Sequence, residues 1–199
     1  MHYPQHMLKL IAFLKKLPGV GNKTAERFAF TMLSWQHEQL KDMGTFISDV
    51  KEHLRYCEEC GALIGIKEQC PLCTNANRDN AAICIVATAK DIFAIEDTRE
   101  YKGLYHVLGG VLSPLDGNHV EHLTIPKLQE RIEKLGVKEI ILALDSTLEG
   151  DTTALYIKKI FKDKNINISR LAFGIPMGSA LDFVDEGTLT RALAGRREF

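Results

Sequence analysis

The run Cys57-Glu58-Glu59-Cys60, followed nine residues later by Cys70-Pro71-Leu72-Cys73, divides a 199-residue chain into two differently patterned halves. Two Cys-x-x-Cys pairs supply four thiolates as two short clasps, the ligand set and spacing of a tetrahedral zinc site. Gly61 after the first pair and Pro71 inside the second suit the turns such clasps need. The competing reading is four reduced structural cysteines or a redox pair, but doubled pairs at this spacing favour metal. Four protein ligands leave no position for water, so the expected role of one zinc ion per chain is structural. The fifth cysteine, Cys84, lies in an apolar run and reads as a small buried hydrophobe.

On the N-terminal side the periodicity is helical. Met7, Leu10, Ile11, Leu14 and Leu17 predict an amphipathic helix stopped by Pro18-Gly19. Asn22 is the expected N-cap of a second helix that buries Ala25, Phe28, Ala29 and Met32. Leu40, Met43, Ile47, Val50 and Leu54 form a seam on a third helix. Such a stripe can face its own core or another subunit, and the general rule favours its own core. Between the first two helices, Leu17-Pro18-Gly19-Val20-Gly21 lets the backbone turn sharply, and Lys23 and Arg27 follow at i and i+4 on one helix face. The N–H groups opening the second helix are a natural anion site. DNA backbone binding is preferred over an ordinary Pro-Gly turn because basic residues surround it and acids barely occur. A phosphate-binding P-loop is dismissed, since Asn22 stands where that motif needs glycine before Lys23.

On the C-terminal side the pattern changes. Ala82–Val86, Glu139–Leu144 and Ile166–Phe173 read as strands. Helical patterns over Lys90–Glu96, Ile125–Leu135 (closed by Gly136) and Ala154–Phe161 alternate with them, predicting an α/β unit with a mostly parallel sheet. Asp185 to Ala194 predicts a last helix ending in the charged tail Arg196-Arg197. Gly103–Gly117 is too glycine-rich and apolar for an ordinary surface loop. His53 reads as a surface residue, and His106, on an apolar strand, as packed rather than catalytic.

Composition is that of a soluble globular protein, 45% hydrophobic and 26% charged, with no apolar run long enough to span a membrane. The N-terminus lacks a small-residue cleavage site, and the expected location is cytoplasmic. The net charge of −1 hides an asymmetry. Residues 1–34 carry Lys9, Lys15, Lys16, Lys23 and Arg27 against Glu26 alone, a net +4, which leaves −5 for the remainder. A basic face of this kind can bind phosphate whatever the total charge.

Together these segments resemble the RecR recombination mediator family. The most specific elements are Tyr101-Lys102-Gly103-Leu104-Tyr105-His106-Val107-Leu108-Gly109-Gly110, then Ser113-Pro114-Leu115-Asp116-Gly117, and Thr147-Leu148-Glu149-Gly150. The resemblance implies a multidomain α+β chain: a helical helix-hairpin-helix domain over 1–54, a four-cysteine zinc finger over 55–78, a Toprim domain over 79–175 and a C-terminal helical segment over 176–199. It implies a non-enzymatic clamp on single- or double-stranded DNA, a homo-oligomer (dimer or tetrameric ring). The implied partners are RecO and, in some bacteria, RecF, in loading the RecA recombinase on gapped DNA. Carried over, the DNA contacts fall on Gly19, Gly21, Lys23 and Arg27, and the zinc on the four cysteines.

Toprim domains also occur in magnesium-dependent topoisomerases, primases and nucleases, which need a glutamate after the first strand and an Asp-x-Asp pair after a later one. Here Ala87-Thr88 stands at the first position, where RecR relatives generally carry an acid, and Asp145-Ser146-Thr147 at the second. No strand cleavage is expected. Asp145, Glu149 and Asp151 remain as a weak magnesium or partner-docking set, with a solvated loop as the plain alternative. The rival functions are a magnesium-dependent Toprim enzyme and a zinc-ribbon interaction module without DNA affinity. At the junction of the two halves, the zinc knuckle is expected to fix their relative angle.

Overall fold

The computed structural model describes residues 3–196, so Arg197 of the charged tail lies outside the described residues. The chain separates into two compact units, Met1–His53 and Leu54–Phe199.

In the first unit, helices α1 (Gln5–Leu14) and α2 (Asn22–Leu33) pack around Met7, Ile11, Ala25 and Ala29. Helix α1 ends at Leu14, a turn earlier than its apolar spacing predicts, and Leu17 is exposed. Pro18 disfavours helical geometry at Leu17, and its ring cannot supply the N–H a continued helix would use. The cap of α2 also differs from expectation. Gly21, in extended geometry, is the N-cap, while Asn22 is already helical and donates its side-chain amide to Glu26 at 2.9 Å. Phe28 is exposed and Met32 only half-buried, so the buried face of α2 is narrower than its pattern suggests.

Helix α3 (His37–His53) buries none of its residues. The seam expected to face the unit's own core lies largely open: Ile47 is 62% exposed, Leu40 and Val50 are exposed, Met43 is half-buried, Leu54 falls beyond the helix in the strand Leu54–Tyr56, and Phe46 beside the seam is 77% exposed. A four-residue core containing two alanines offers too little apolar surface to cover a third helix.

The second unit begins with a small hairpin, β1 (Leu54–Tyr56) antiparallel to β2 (Leu63–Gly65), and one helical turn, α4 (Pro71–Thr74). Strands β3 (Asp79–Val86), β4 (Gly103–Val107), β5 (Glu139–Ala143) and β6 (Asn167–Arg170) then form one parallel sheet in the order β4-β3-β5-β6. Helices α5 (Ala89–Glu96), α6 (Ile125–Leu135), α7 (Leu148–Ile160) and α8 (Glu186–Ala194) complete the unit. The α/β architecture read from strand–helix alternation is therefore the one observed.

The period-2 alternation of strand side chains sorts two cores. Ile83, Ile85, Leu104, Ile140 and Leu142 point to one face and pack with Leu128, Ile132, Ile157 and Phe161 of α6 and α7. Cys84, Val86, Tyr105 and Val107 point to the other, where Ile92 of α5 and the cysteine knuckle cover them. Burial on both faces is why β3 reads as an uninterrupted apolar run. Gly136, left-handed at φ 65°, closes α6 as its position in the sequence suggests, and the Asp185 carboxylate caps α8 by accepting from Thr188 N at 2.9 Å.

Candidate metal centre and nucleic-acid interface

The cysteine pairs converge. The Sγ atoms of Cys57, Cys60, Cys70 and Cys73 all lie within 4.8 Å of one another, with Cys60 and Cys70 at 3.6 Å. Thiolates around a zinc ion at about 2.3 Å stand roughly 3.8 Å apart along each tetrahedral edge, so the donor set fits that ion in number, chemistry and spacing. Local hydrogen bonds shape each clasp. Gly61 N donates to Cys57 O at 2.9 Å and Cys57 N to Ala62 O at 2.7 Å, while Cys73 N and Thr74 N both reach Cys70 O. A hydrogen bond with Cys73 and then burial push the Cys60 thiol well up. Burial and the neighbouring Cys60 push Cys70 up to about 11. Packed thiols of this kind resist ionising unless a cation sits among them.

The knuckle is part of the α/β core. Its Ala62, Ile64 and cysteines share one apolar cluster with Val86, Ile92, Tyr105 and Val107. Val107 N donates to Cys60 O at 2.8 Å, which satisfies the outer edge of β4. Gly61, at φ 78°, makes this approach possible: a Cβ there would lie 2.7 Å from Val107 Cβ. Arg131 of α6 completes the junction by donating to Tyr105 O and, at 3.5 Å, to Cys73 Sγ. Nothing in the sequence signals this last pairing, because 58 residues separate its partners.

The basic hairpin is a tight, exposed turn. Leu17–Val20 is a β-turn closed by Val20 N donating to Leu17 O at 3.1 Å, with Pro18 second and Gly19 third at φ 78°. This is type II geometry, which favours glycine at that position. Gly21 has an ordinary negative φ and nothing within 4 Å of where a Cβ would stand, so this unit's own packing does not require glycine there. Its bare backbone leaves room for another chain. Lys23 and Arg27 are both exposed one turn apart, and among the described residues neither has a carboxylate within ion-pair distance. The α2 N-terminus has no side-chain cap to compete for its N–H groups.

The strand ends hold no convergent acid site. Thr88, at the first Toprim-like position, is the N-cap of α5, and the Asp91 carboxylate accepts from both Thr88 N and Thr88 Oγ1 at 2.8 Å. The Thr88-x-x-Asp91 spacing carries that capping box in the sequence itself. Asp145 and Glu149 have no side-chain partner among the described residues, but Asp151 is occupied. Arg170 holds one of its oxygens at 2.5 Å and Arg191 the other at 2.9 Å, which lowers its pKa. Both guanidinium groups also stack on Phe173, at 4.6 and 4.7 Å from the ring centre. Among the described residues only the four cysteines bring three or more His, Cys, Asp or Glu ligand atoms together. Asp151 is thus a structural anchor for the C-terminal helix, a role that rests on tertiary partners 19 and 40 residues away.

The histidines and Cys84 lie as their surroundings predict. His53 is exposed, and Cys84 is buried in β3. His106 is buried; Thr124 Oγ1 donates its proton to Val107 O, so His106 Nε2 donates to Thr124 Oγ1 at 2.9 Å, and burial lowers the ring's pKa to about 4, which keeps it neutral near pH 7.

A two-helix hairpin with a basic turn, a four-cysteine knuckle and a parallel sheet ordered β4-β3-β5-β6 define a helix-hairpin-helix and Toprim protein of DNA metabolism. Comparison with known families agrees segment by segment: residues 7–51 match the RecR helix-hairpin-helix model, 81–172 the Toprim domain and 174–197 the RecR C-terminal model. Recombination protein RecR of Protochlamydia amoebophila is 54% identical over 199 residues, covering all of both chains. That of Chlamydia pneumoniae is 49% identical over 99% of this chain and 98% of its own. That of Moorella thermoacetica is 43% identical over 100% and 99%. The chain belongs to the RecR family of recombination proteins, and its role lies in recombinational DNA repair. Among the described residues no helix is long and apolar enough to cross a membrane.

Proposed function

We propose that this chain is a non-enzymatic DNA clamp that assists loading of the RecA recombinase on gapped single-stranded DNA, acting with RecO and, where present, RecF. The observation carrying this reading is the hairpin Leu17–Gly21, open to approach over Gly21, with the unpaired Lys23 and Arg27 beside it. Contacts of that kind grip phosphates without reading bases, so both single and double strands fit. The α/β unit supports a mediator rather than a nuclease: Thr88 caps a helix where catalysis needs an acid, and Asp151 is already neutralised by two arginines. Zinc is the metal that a closed set of four thiolates favours, and its role is structural. Asp145 and Glu149, exposed or half-buried and unpaired, are the acids left for partner docking.

The clamp is a homo-oligomer. Its support is α3, where Leu40, Ile47 and Val50 of the apolar seam, and Phe46 beside it, stay exposed and Met43 is only half-buried. A second copy is the partner that a helical seam of this type fits.

Two measurements test the reading. Lys23→Ala with Arg27→Ala removes two phosphate contacts per protomer, so the salt dependence of log K should flatten by about 1.8 on duplex DNA or 1.4 on single strands for each protomer that contacts the DNA. An unchanged slope and affinity would favour an interaction module without DNA contacts; magnesium-dependent nicking lost in Asp145→Ala would favour an enzyme. Ile47→Asp should shift the sedimenting species toward monomer, and a wild-type chain that sediments only as monomer with DNA present would refute the oligomer.

A further inference from the structure

We infer that Arg131 is the counter-ion of the metal centre, a positioning residue that tunes how tightly the four cysteines hold their ion. This rests on the zinc reading above. A guanidinium never loses its charge in a protein, and burying one demands an anion nearby. Arg131 is only 6% exposed, yet no carboxylate of the described residues lies within ion-pair distance of it. What it does meet is Tyr105 O through Nη1 and Cys73 Sγ through Nη2, the latter at 3.5 Å. A backbone carbonyl satisfies a donor but does not offset a full charge.

A divalent ion held by four thiolates carries a net charge of about −2. The centre is therefore the anion that the buried guanidinium lacks, and the guanidinium is the cation that the buried centre lacks. The geometry also ties that charge balance to the fold. One nitrogen of the planar fork satisfies the outer edge of β4 at Tyr105 while the other donates to the ligand sulfur, and Cys60 O accepts from Val107 N on the same edge. Metal charge, α6 and the sheet edge are joined through one side chain. Donation to the sulfur lowers its electron density, so removing the donor should change the electronic character of the metal–sulfur bond as well as its strength.

The test uses the full chain with Arg131→Met and Arg131→Gln, compared with wild type by chelator competition and by the sulfur-to-metal charge-transfer band of the cobalt(II)-substituted protein. Met removes charge and donors. Gln removes the charge but keeps an amide donor on a shorter side chain. The expected result is zinc binding weaker by about 10- to 100-fold in both variants, with the band moved to lower energy. If Arg131 only secures the β4 edge, the charge-transfer band will stay at its wild-type energy in both variants, and that outcome overturns the proposal. Should the Met variant fail to fold, the Gln arm alone carries the decision. A wild-type chain that binds no zinc would instead refute the underlying metal reading, an outcome separable from an unmoved band in the two variants.

Discussion

Stripping the proposed zinc should cost the α/β unit a large part of its stability, although its four cysteine ligands lie outside the sheet. The knuckle alone has little to hold it together: three paired residues in each strand of its hairpin and one four-residue helical turn. A structure that small does not persist without its ion. Its loss uncovers one side of Ile92, Tyr105 and Val107, which Ala62, Ile64 and the cysteines now cover. Full exposure of such a side chain costs about 1.5–3 kcal/mol. Three partly uncovered side chains and the lost hydrogen bond from Val107 N to Cys60 O come to about 5 kcal/mol, within the range of a domain's whole stability. At roughly 2–4 °C per kcal/mol for a unit of this size, the melting temperature should fall by about 10–20 °C. The assay is thermal unfolding by circular dichroism with and without excess chelator, with metal content measured on the same samples. A chain whose metal content has fallen to zero but whose midpoint has moved by less than about 2 °C would refute the coupling of knuckle to sheet.

Two further outcomes follow from buried groups. Burial pushes the Cys84 thiol up to about 12, so chelation should make four thiols alkylate before the fifth; mass spectrometry showing Cys84 labelled as fast as the knuckle cysteines would contradict its placement in β3. Burial, then the Arg131 charge, lowers His106 to about 4 from an ordinary 6.5. The unfolded chain therefore takes up this proton below pH 6.5 and the fold only near 4, so this contribution to stability is present above pH 6.5 and lost as pH falls through that window, by up to about 3 kcal/mol. Denaturant melts of wild type and His106→Gln over pH 4–7 should differ by that slope, and parallel profiles would refute it.

What could be read from the chain follows the range of the interactions. Helix stops, strand alternation and cysteine spacing depend on neighbours within a few residues, so α6 closing at Gly136, the alternating faces of β3 and the convergence of the four thiols all follow from local chemistry. The local misreadings also have local causes. Leu17 has a helical neighbour pattern but precedes proline, and Asn22 can cap a helix but sits one residue inside it because Gly21 takes the extended geometry. Charged groups behave differently. Asp145, Glu149 and Asp151 look alike in sequence, yet only the Asp151 carboxylate pairs with Arg170 and Arg191, and those partners arrive from β6 and α8. Arg131 reads as one more polar residue on an amphipathic helix until the fold buries it against Cys73. A side chain's charge is local, but its counter-charge is set by topology.

The same reasoning explains why the α3 seam is ambiguous in the sequence and open in the fold. Apolar spacing establishes that a stripe must be covered, not what covers it. Within its own unit the available partner surface is already spent on the α1–α2 contact through Met7, Ile11, Ala25 and Ala29. Helix α3 is long enough, at 17 residues, to offer several turns of contact, yet it buries none of them alone. Most of a helix's stability in a protein comes from packing its apolar face. In the proposed homo-oligomer the stability of α3 would come largely from association, which would make its helix content concentration-dependent. Amide exchange along His37–His53 should therefore slow markedly as protein concentration is raised through the assembly range. Exchange that is equally slow in dilute monomer would show that the helix needs no second copy.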